Sequence, residues 1–436
     1  MLEKALSLFS EVQAGEAGDV LLMLLNLFLL LIGYYILKTV REPLILVGGG
    51  AEMKSYASAA QAVLLMGFIP FYSWFSSRVD RMKLITGVAL FFAVNLELFY
   101  VGALVKAPYL GFVFFVWLGI FNLAIVAQFW SCANDIYSTE AGERLFPIIA
   151  VGATLGSPVG AWIAGKLFDS GFSPFNMMHL VVGILIVHVA VTAVINSRQA
   201  EKKGETRAPE QKLGNQGGFK LVLKNDYILM IAVLLILLNV VNTTGEYILG
   251  RKVLQAAAES APQGEDMAVS AFIGRFYADF FLYVNIITFL IQAFVVSRIV
   301  KYTGMIGVLF ALPIISFGAY GLIGAGAGFA VIRWVKTAEN STDYSVMNTA
   351  KAMLWLPTTR EEKYQAKQAV DTFFVRLGDV MSAGMVFVGT TWLHFQSRQF
   401  ALFNVVVIVV WMVAAWFVYR KYRRLTAKDD LQQTEA

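Results

Sequence analysis

The sequence predicts an all-α membrane protein with twelve transmembrane helices arranged as two pseudo-symmetric six-helix halves. Three observations carry that prediction. Of 436 residues, 58% are hydrophobic and 15% charged, against ~45–50% and ~25% in soluble domains, so charges are too few to cover a water-facing surface. Apolar runs of about 20 residues, the length of one bilayer crossing, recur from end to end. The two halves also repeat each other's short motifs at a nearly constant offset.

The elements follow in order. Residues 1–19 form an N-terminal cytoplasmic segment, in which Glu3, Lys4, Glu11 and Glu16 read as a short amphipathic helix and not as a signal peptide. Six spans at 20–40, 55–76, 84–105, 109–134, 147–168 and 176–195 make the first half (20–195). A polar stretch with Glu-Lys-Lys-Gly-Glu at 201–205, Pro209 and a Gly-rich 214–218 segment reads as a cytoplasmic linker over 196–226. Spans at 227–249, 270–297, 305–323, 325–355, 366–390 and 400–419 make the second half (227–419), and 420–436 is a cytoplasmic tail. Lys and Arg fix the orientation: with both termini inside, 22 of the 35 basic residues fall in cytoplasmic segments and seven outside. The reading is a multi-pass protein of the cell inner membrane, monomeric, with the lipid bilayer as its surroundings.

The repeat has several parts. Ser77-Arg78-Val79-Asp80-Arg81 after span two corresponds to Ser297-Arg298-Ile299-Val300-Lys301 after span eight, and Gly87-Val88 to Gly307-Val308. Tyr35-Ile36-Leu37 corresponds to Tyr247-Ile248-Leu249, and Leu155-Gly156 to Leu377-Gly378. Two six-span halves joined by a long cytoplasmic linker is the major-facilitator architecture, whose halves rock about a central site.

Composition also excludes function classes. The single Cys132 rules out an intramolecular disulfide and a Cys-based zinc site. His179, His188 and His394 lie in separate apolar segments, so neither a metal centre nor a cofactor site is expected. The net charge of +5 comes from basic loops and not from a nucleic-acid groove. There is no Gly-Lys-Ser/Thr phosphate loop and no nucleophile–base pair, which leaves a transporter driven by exchange or by an ion gradient, and not an enzyme.

Ionised side chains inside hydrocarbon cost ~2.5–3.5 kcal/mol each at a helix centre, so they mark function. In span one, Lys38 and Glu42 share a helix face, with Arg41 beside them. They read as a cationic pocket wall with Glu42 as internal counter-ion, against the alternative of snorkelling at a membrane edge. Span four ends with Asn134 and Asp135, then Glu140, Glu143 and Arg144, where a cytoplasmic gate competes with a plain loop salt bridge between Glu140 and Arg144. Span seven carries Asn239, Asn242, Thr243, Thr244 and Glu246. Span ten holds Arg333, Lys336, Glu339, Asn340, Asp343, Tyr344, Asn348 and Lys351, whose 3–4 spacing puts a polar stripe towards a wet cavity. Span eleven adds Asp371, Arg376 and Asp379.

These residues resemble those of the ATP/ADP translocase-type nucleotide transporters of plastids and obligate intracellular bacteria. Leu37-Lys38-Thr39-Val40-Arg41-Glu42-Pro43-Leu44 is similar to the family's first-span motif. Phe129-Trp130-Ser131-Cys132-Ala133-Asn134-Asp135 and Glu140 to Pro147 resemble its span-four motif. Tyr344, Ser345, Lys351, Met353 and Pro357 match in span ten, and Lys367 to Asp371 with Arg376-Leu377-Gly378 match in span eleven. The chain departs in the order of Lys38 and Arg41, in Glu42 for an aspartate, in most of span seven around Glu246 and Tyr247, in Asp343 where the family carries a base, and in Ala352 where it carries an acid. The departures widen the expected substrate to a less charged nucleotide or another organic anion.

The resemblance implies a secondary transporter of a nucleotide or related phosphorylated anion. Lys38, Arg41, Lys336 and Lys351 are then the anion contacts, and Asn134, Asn242 and Tyr344 serve base or ribose. Glu42, Asp135, Glu246 and Asp343 complete the substrate set. Arg78, Asp80, Arg81, Glu140, Glu143 and Arg144 form the cytoplasmic gate. The alternative is a proton-coupled carrier of another small solute, with Asp135, Glu246, Asp343 and Asp371 as proton carriers.

Overall fold

A computed structural model of the chain describes residues 12–13, 15–76, 78–202, 218–260 and 265–435, so the amphipathic helix expected over 1–17 and the linker residues 203–217 fall largely or wholly outside the described residues. Every regular element among the described residues is helical. In order they are α1 (Ala17–Ser76), α2 (Arg81–Leu104), α3 (Leu110–Ile136), α4 (Thr139–Asp169), α5 (Pro174–Lys202), α6 (Gly218–Lys224), α7 (Asp226–Ser260), α8 (Asp266–Gly324), α9 (329–354), α10 (Lys367–Thr391) and α11 (Ser397–Glu435).

Among the described residues, nine helices are long and apolar enough to cross a membrane. α1 spans 60 residues and α8 spans 59. At ~1.5 Å per residue each approaches 90 Å, three times a ~30 Å hydrocarbon layer, so neither can be a single crossing. Each is broken once. Gly50 sits at φ 74° and ψ −177°, and Gly304 at φ 62° and ψ −149°. Those left-handed values strain any side chain, so glycine is required there. The breaks fall between the first two expected spans and between the eighth and ninth. Single glycines thus do the work assigned to loops.

Three boundaries differ from expectation. α1 continues past residue 40 to its break at Gly50, α5 runs to Lys202, and α11 reaches Glu435. α9 is helical from Phe329 with one π-helical turn, Asp343–Met347, in its polar stretch.

The chain forms two compact units: residues 1–49, 67–208 and 257–285 make one, and residues 50–66, 209–256 and 286–436 the other. Each unit takes one segment from the opposite sequence half. In unit one, residues 257–285 are tied in by Arg275 Nη1 to Asp169 Oδ2 (2.8 Å) and by Tyr35 Oη donating to Asn285 Oδ1 (3.0 Å). In unit two, residues 50–66 are tied in by Tyr247 Oη donating to Glu52 Oε1 (2.9 Å) and by Tyr56 packing on Phe387.

The core of unit one is aromatic between α2 and α3, where Phe92, Phe99, Phe114, Trp117 and Phe121 stack edge-to-face at 5.0–5.5 Å. Packing of α4 on α1 depends on a ladder of small residues. A Cβ at Gly152, Gly156 or Gly160 would lie 2.4–2.6 Å from the carbonyl oxygens of Leu24, Phe28 and Ile32, so only glycine lets the backbones meet. In unit two, Gly378 of α10 meets the carbonyl oxygen of Ile236 on α7, where a Cβ would fall at 2.8 Å. The Leu155-Gly156 and Leu377-Gly378 repeat therefore marks equivalent close crossings in the two units.

Candidate functional site

Unit two holds a buried charge network built by α7, α8 and α9. Lys336 is fully buried; its Nζ lies 2.6 Å from Glu339 Oε2 and 3.3 Å from Tyr320 Oη. Tyr320 Oη in turn lies 3.1 Å from both oxygens of Glu339, and Ser316 Oγ donates to Glu339 Oε1 at 3.3 Å. The i, i+3 spacing on α9 puts the lysine and the glutamate on one face. α7 approaches that face at Gly245, where a Cβ would lie 1.8 Å from Tyr320 Oη and 2.6 Å from Lys336 Nζ. One residue on, Glu246 is partly exposed: Oε1 accepts from Asn340 Nδ2 (3.2 Å) and is 4.0 Å from Lys336 Nζ, while Oε2 is 3.5 Å from Lys54 Nζ. Glu246 is a carboxylate held between two ammonium groups and an amide.

A cavity of about 380 Å³ opens between α7, α9 and α10, lined by Asn239, Asn348, Lys351, Trp355, Lys367 and Asp371 together with apolar residues. Lys351 Nζ pairs with Asp343 Oδ1 at 3.2 Å and keeps 31% of its side chain exposed. Lys367 is exposed, and Asn239 Nδ2 donates to the Val375 carbonyl at 2.5 Å. Above it, Thr243 Oγ1 donates to Asp379 Oδ1 (2.7 Å), and Arg376 Nη1 reaches the other oxygen (3.4 Å). The hollow thus gathers two ammonium groups, one carboxylate, two carboxamides and an indole, a mixed polar set suited to a charged small molecule.

Unit one carries the charges of α1. Lys38 Nζ lies 4.4 Å from the centre of the Phe281 ring and 5.0 Å from that of Tyr35, Arg41 stacks on Phe115 at 4.3 Å, and Arg41 Nε donates to Glu42 Oε1 at 3.0 Å. Glu42 is fully buried. Because α1 stays helical to Gly49, these residues lie within the helix, about two to three turns before its break at Gly50. Lys38 and Arg41 thus make cation–π contacts, and Arg41 also pairs with the buried Glu42.

Four of the expected gate residues, Arg78, Asp80, Arg81 and Arg144, have local partners within unit one. Asp80 caps α2, accepting from the amides of Met82 (3.1 Å) and Lys83 (3.3 Å). Arg81 Nη1 lies 3.8 Å from Asp135 Oδ2, and its Nη2 donates to Asn196 Oδ1 at 2.9 Å. Arg78 bonds the Trp74 carbonyl and stacks on that ring. The expected Glu140–Arg144 pair does not form. Arg144 makes a two-pronged contact with Glu16 (3.2 and 3.3 Å), while Glu140 and Glu143 stay exposed in the first turns of α4. An acid in a first helical turn is favoured by the helix dipole without a partner, and Arg144 faces the chain entering α1.

Of the expected substrate residues, the structure brings Glu246 and Lys336 together, and pairs Asp343 with Lys351. Lys336 has no exposed side-chain surface and its ammonium faces Glu339 and Tyr320, whereas Lys351 and Lys367 line the cavity between α7, α9 and α10. Asn242 is half-buried in unit two without a side-chain hydrogen bond among the described residues; Tyr344 is 38% exposed and Asn134 exposed. Sequence reasoning missed Lys54, Tyr320, Trp355 and Lys367 as site residues. Lys54 lies before the expected second span at 55–76, but α1 resumes helix directly after Gly50 and buries it. No carboxylate, thiol and imidazole cluster able to hold a metal occurs among the described residues.

The family model described as the TLC ATP/ADP transporter matches residues 109–422. ADP,ATP carrier protein 1 of Chlamydia trachomatis is 24% identical, over 97% of this chain and 92% of its own length. ADP,ATP carrier protein 4 of Rickettsia bellii is 23% identical, over 70% of this chain and 65% of its own. Among solved structures, the nucleoside transporter NupG superposes with a TM-score of 0.64 at 13% identity, covering 91% of this chain and 98% of its own. The POT family transporter PepTSo gives 0.64 at 12% identity, covering 93% and 98%. Likeness at these identities establishes a shared fold, that of major-facilitator-like transporters.

Proposed function

Because the chain belongs to the TLC ATP/ADP transporter family, we propose that it is a secondary transporter exchanging a nucleotide, or a related phosphorylated organic anion, across a cell inner membrane by alternating access. The observation that carries this reading is the cavity at Lys351: its two ammonium groups suit phosphate oxygens, and Asn239, Asn348 and Trp355 supply amide and ring surfaces for ribose and base. Its volume of about 380 Å³ falls in the range of ~300–1,000 Å³ usual for small-molecule sites. The full reading includes twelve crossings, counting α1 and α8 as two each and α9 as one, with both termini cytoplasmic and a monomeric chain. Lys38 and Arg41 in unit one are further anion contacts, and Glu140 and Glu143 are the acids available for cytoplasmic closure.

The test is uptake of labelled ATP by proteoliposomes preloaded with ADP. Uptake should require the internal nucleotide and should fall at least tenfold in Lys351→Gln, the loss of about 1.4 kcal/mol or more that one charge-assisted phosphate contact represents. Uptake in Lys351→Gln equal to that of the parent would refute the site. Asp371, in the same cavity as Lys351, favours one second reading, proton-coupled uptake. Under that reading an imposed pH gradient drives transport into empty vesicles and Asp371→Asn abolishes it.

A further inference from the structure

A second hollow lies at the opposite end of unit two from the Lys351 cavity. Its volume is about 200 Å³, and it is lined by Arg251, Lys252 and Gln255 at the end of α7, Gln396, Ser397 and Arg398 at the start of α11, and the α8–α9 connection with Ile332 below. Its charge is one-sided. No carboxylate lines it, and none of its three cations has an ion-pair partner among the described residues. Arg251 donates only through Nη1, to Tyr247 Oη (3.3 Å) and the Phe395 carbonyl (3.1 Å). Arg398 donates through Nε to the Gly324 carbonyl (2.8 Å), and Lys252 Nζ to Gln255 Oε1 (3.2 Å). Nη2 and Nε of Arg251 and both Nη of Arg398 therefore have no protein acceptor among the described residues.

Three such cations around one hollow repel one another unless an anion joins them, and each bond to a phosphate oxygen is of the stronger, charge-assisted kind. Helices α9 and α11 both begin at this hollow, adding the positive ends of their dipoles, and Gly328 before α9 supplies no side-chain cap. At about 200 Å³ the space is below the ~300 Å³ at which whole small-molecule sites begin, so it suits a phosphoryl group and not a whole nucleotide.

We propose that the hollow formed by Arg251, Lys252 and Arg398 is a second, separate binding site for the phosphoryl group of an anion, either one free in solution or one on a phospholipid head. This inference does not depend on the Lys351 cavity being a transport site. The full chain, carrying Lys351→Gln to silence that cavity, is reconstituted in phosphatidylcholine nanodiscs. Binding of inorganic pyrophosphate is measured by calorimetry, and retention of phosphatidylglycerol from mixed nanodiscs by native mass spectrometry. Lys252→Gln, whose side chain bonds only Gln255 among the described residues, and Gln255→Glu, which places an acid in the hollow, should each weaken binding about tenfold. Loss confined to pyrophosphate identifies a soluble phosphoryl anion; loss confined to phosphatidylglycerol identifies a lipid head; loss of both identifies a site open to either. Unchanged binding of both ligands in both variants overturns the proposal.

Discussion

Replacing Glu339 by Gln keeps the shape of the side chain and one acceptor oxygen while removing the charge that faces Lys336. The two partners are 0% and 4% exposed and 2.6 Å apart. At an effective dielectric of about 20, their attraction is on the order of 6 kcal/mol before desolvation is subtracted. Removing one member of a buried pair costs about 3–5 kcal/mol, because the other charge stays uncompensated. Here Glu246 stands 4.0 Å from the same ammonium and supplies part of the lost field, which points to the lower end, about 3 kcal/mol. For a domain of this size about 2 °C of midpoint accompanies each kcal/mol, so Glu339→Gln should lower the thermal midpoint of the purified protein by about 6 °C. Lys336→Met should do similar harm. The double variant Lys336→Met/Glu339→Leu should return to within about 2 kcal/mol of the parent, because no charge is then left unpaired. Strictly additive losses, or a Glu339→Gln midpoint equal to the parent's, would show that these groups are not an ion pair holding unit two together.

Three further outcomes are expected. Gly245→Ala drives a methyl group into Tyr320 Oη and Lys336 Nζ, and should cost at least about 1–3 kcal/mol of stability by overpacking, read as a lower unfolding midpoint. Gly156→Leu and Gly378→Leu, at equivalent crossings, should both fail to give monodisperse protein on size-exclusion chromatography, whereas Gly183→Leu, with open space at its Cβ, should elute as the parent does. Asp80→Ala removes the cap of α2 and should lose about 0.5–2 kcal/mol of stability, while Asp80→Asn, which can still accept from the Met82 and Lys83 amides, should lose little.

Much of the fold was legible because hydrocarbon imposes a simple rule: a crossing needs about 20 apolar residues, and the linker stands out by its charge. What failed was local. Residues 41–54 fall between the first two expected spans, but one left-handed glycine at Gly50 suffices to interrupt a helix, so α1 continues and Lys54 is buried. At the site, the polar stripe of α9 was evident from 3–4 spacing, yet spacing alone cannot tell which charge faces a neighbour and which faces a hollow. Lys336 and Lys351 are both lysines on that helix. Only the position of Tyr320, on a helix 16 residues earlier in sequence, makes the first internal and leaves the second open. Trp355 and Lys367 were missed for a related reason. They flank the α9–α10 connection, where position relative to a membrane edge says nothing about inward orientation.

The exchange of segments between the two units has a consequence for how the chain is made. Unit one draws on residues 257–285, so it lacks part of its structure while the ribosome is still translating the linker. Arg275 has yet to reach Asp169, and Asn285 has yet to reach Tyr35. Residues 50–66, synthesised early, must in turn wait for α7 before Glu52 meets Tyr247 and Lys54 meets Glu246. During that interval Lys54 and Glu52 are charged groups lacking their final partners, a state that insertion machinery or a chaperone can shelter. Unit one is therefore completed only once residue 285 has been made, well into the second half of the chain, and a nascent chain arrested before residue 257 should remain protease-sensitive in α4 even though all of α1 to α5 has been synthesised.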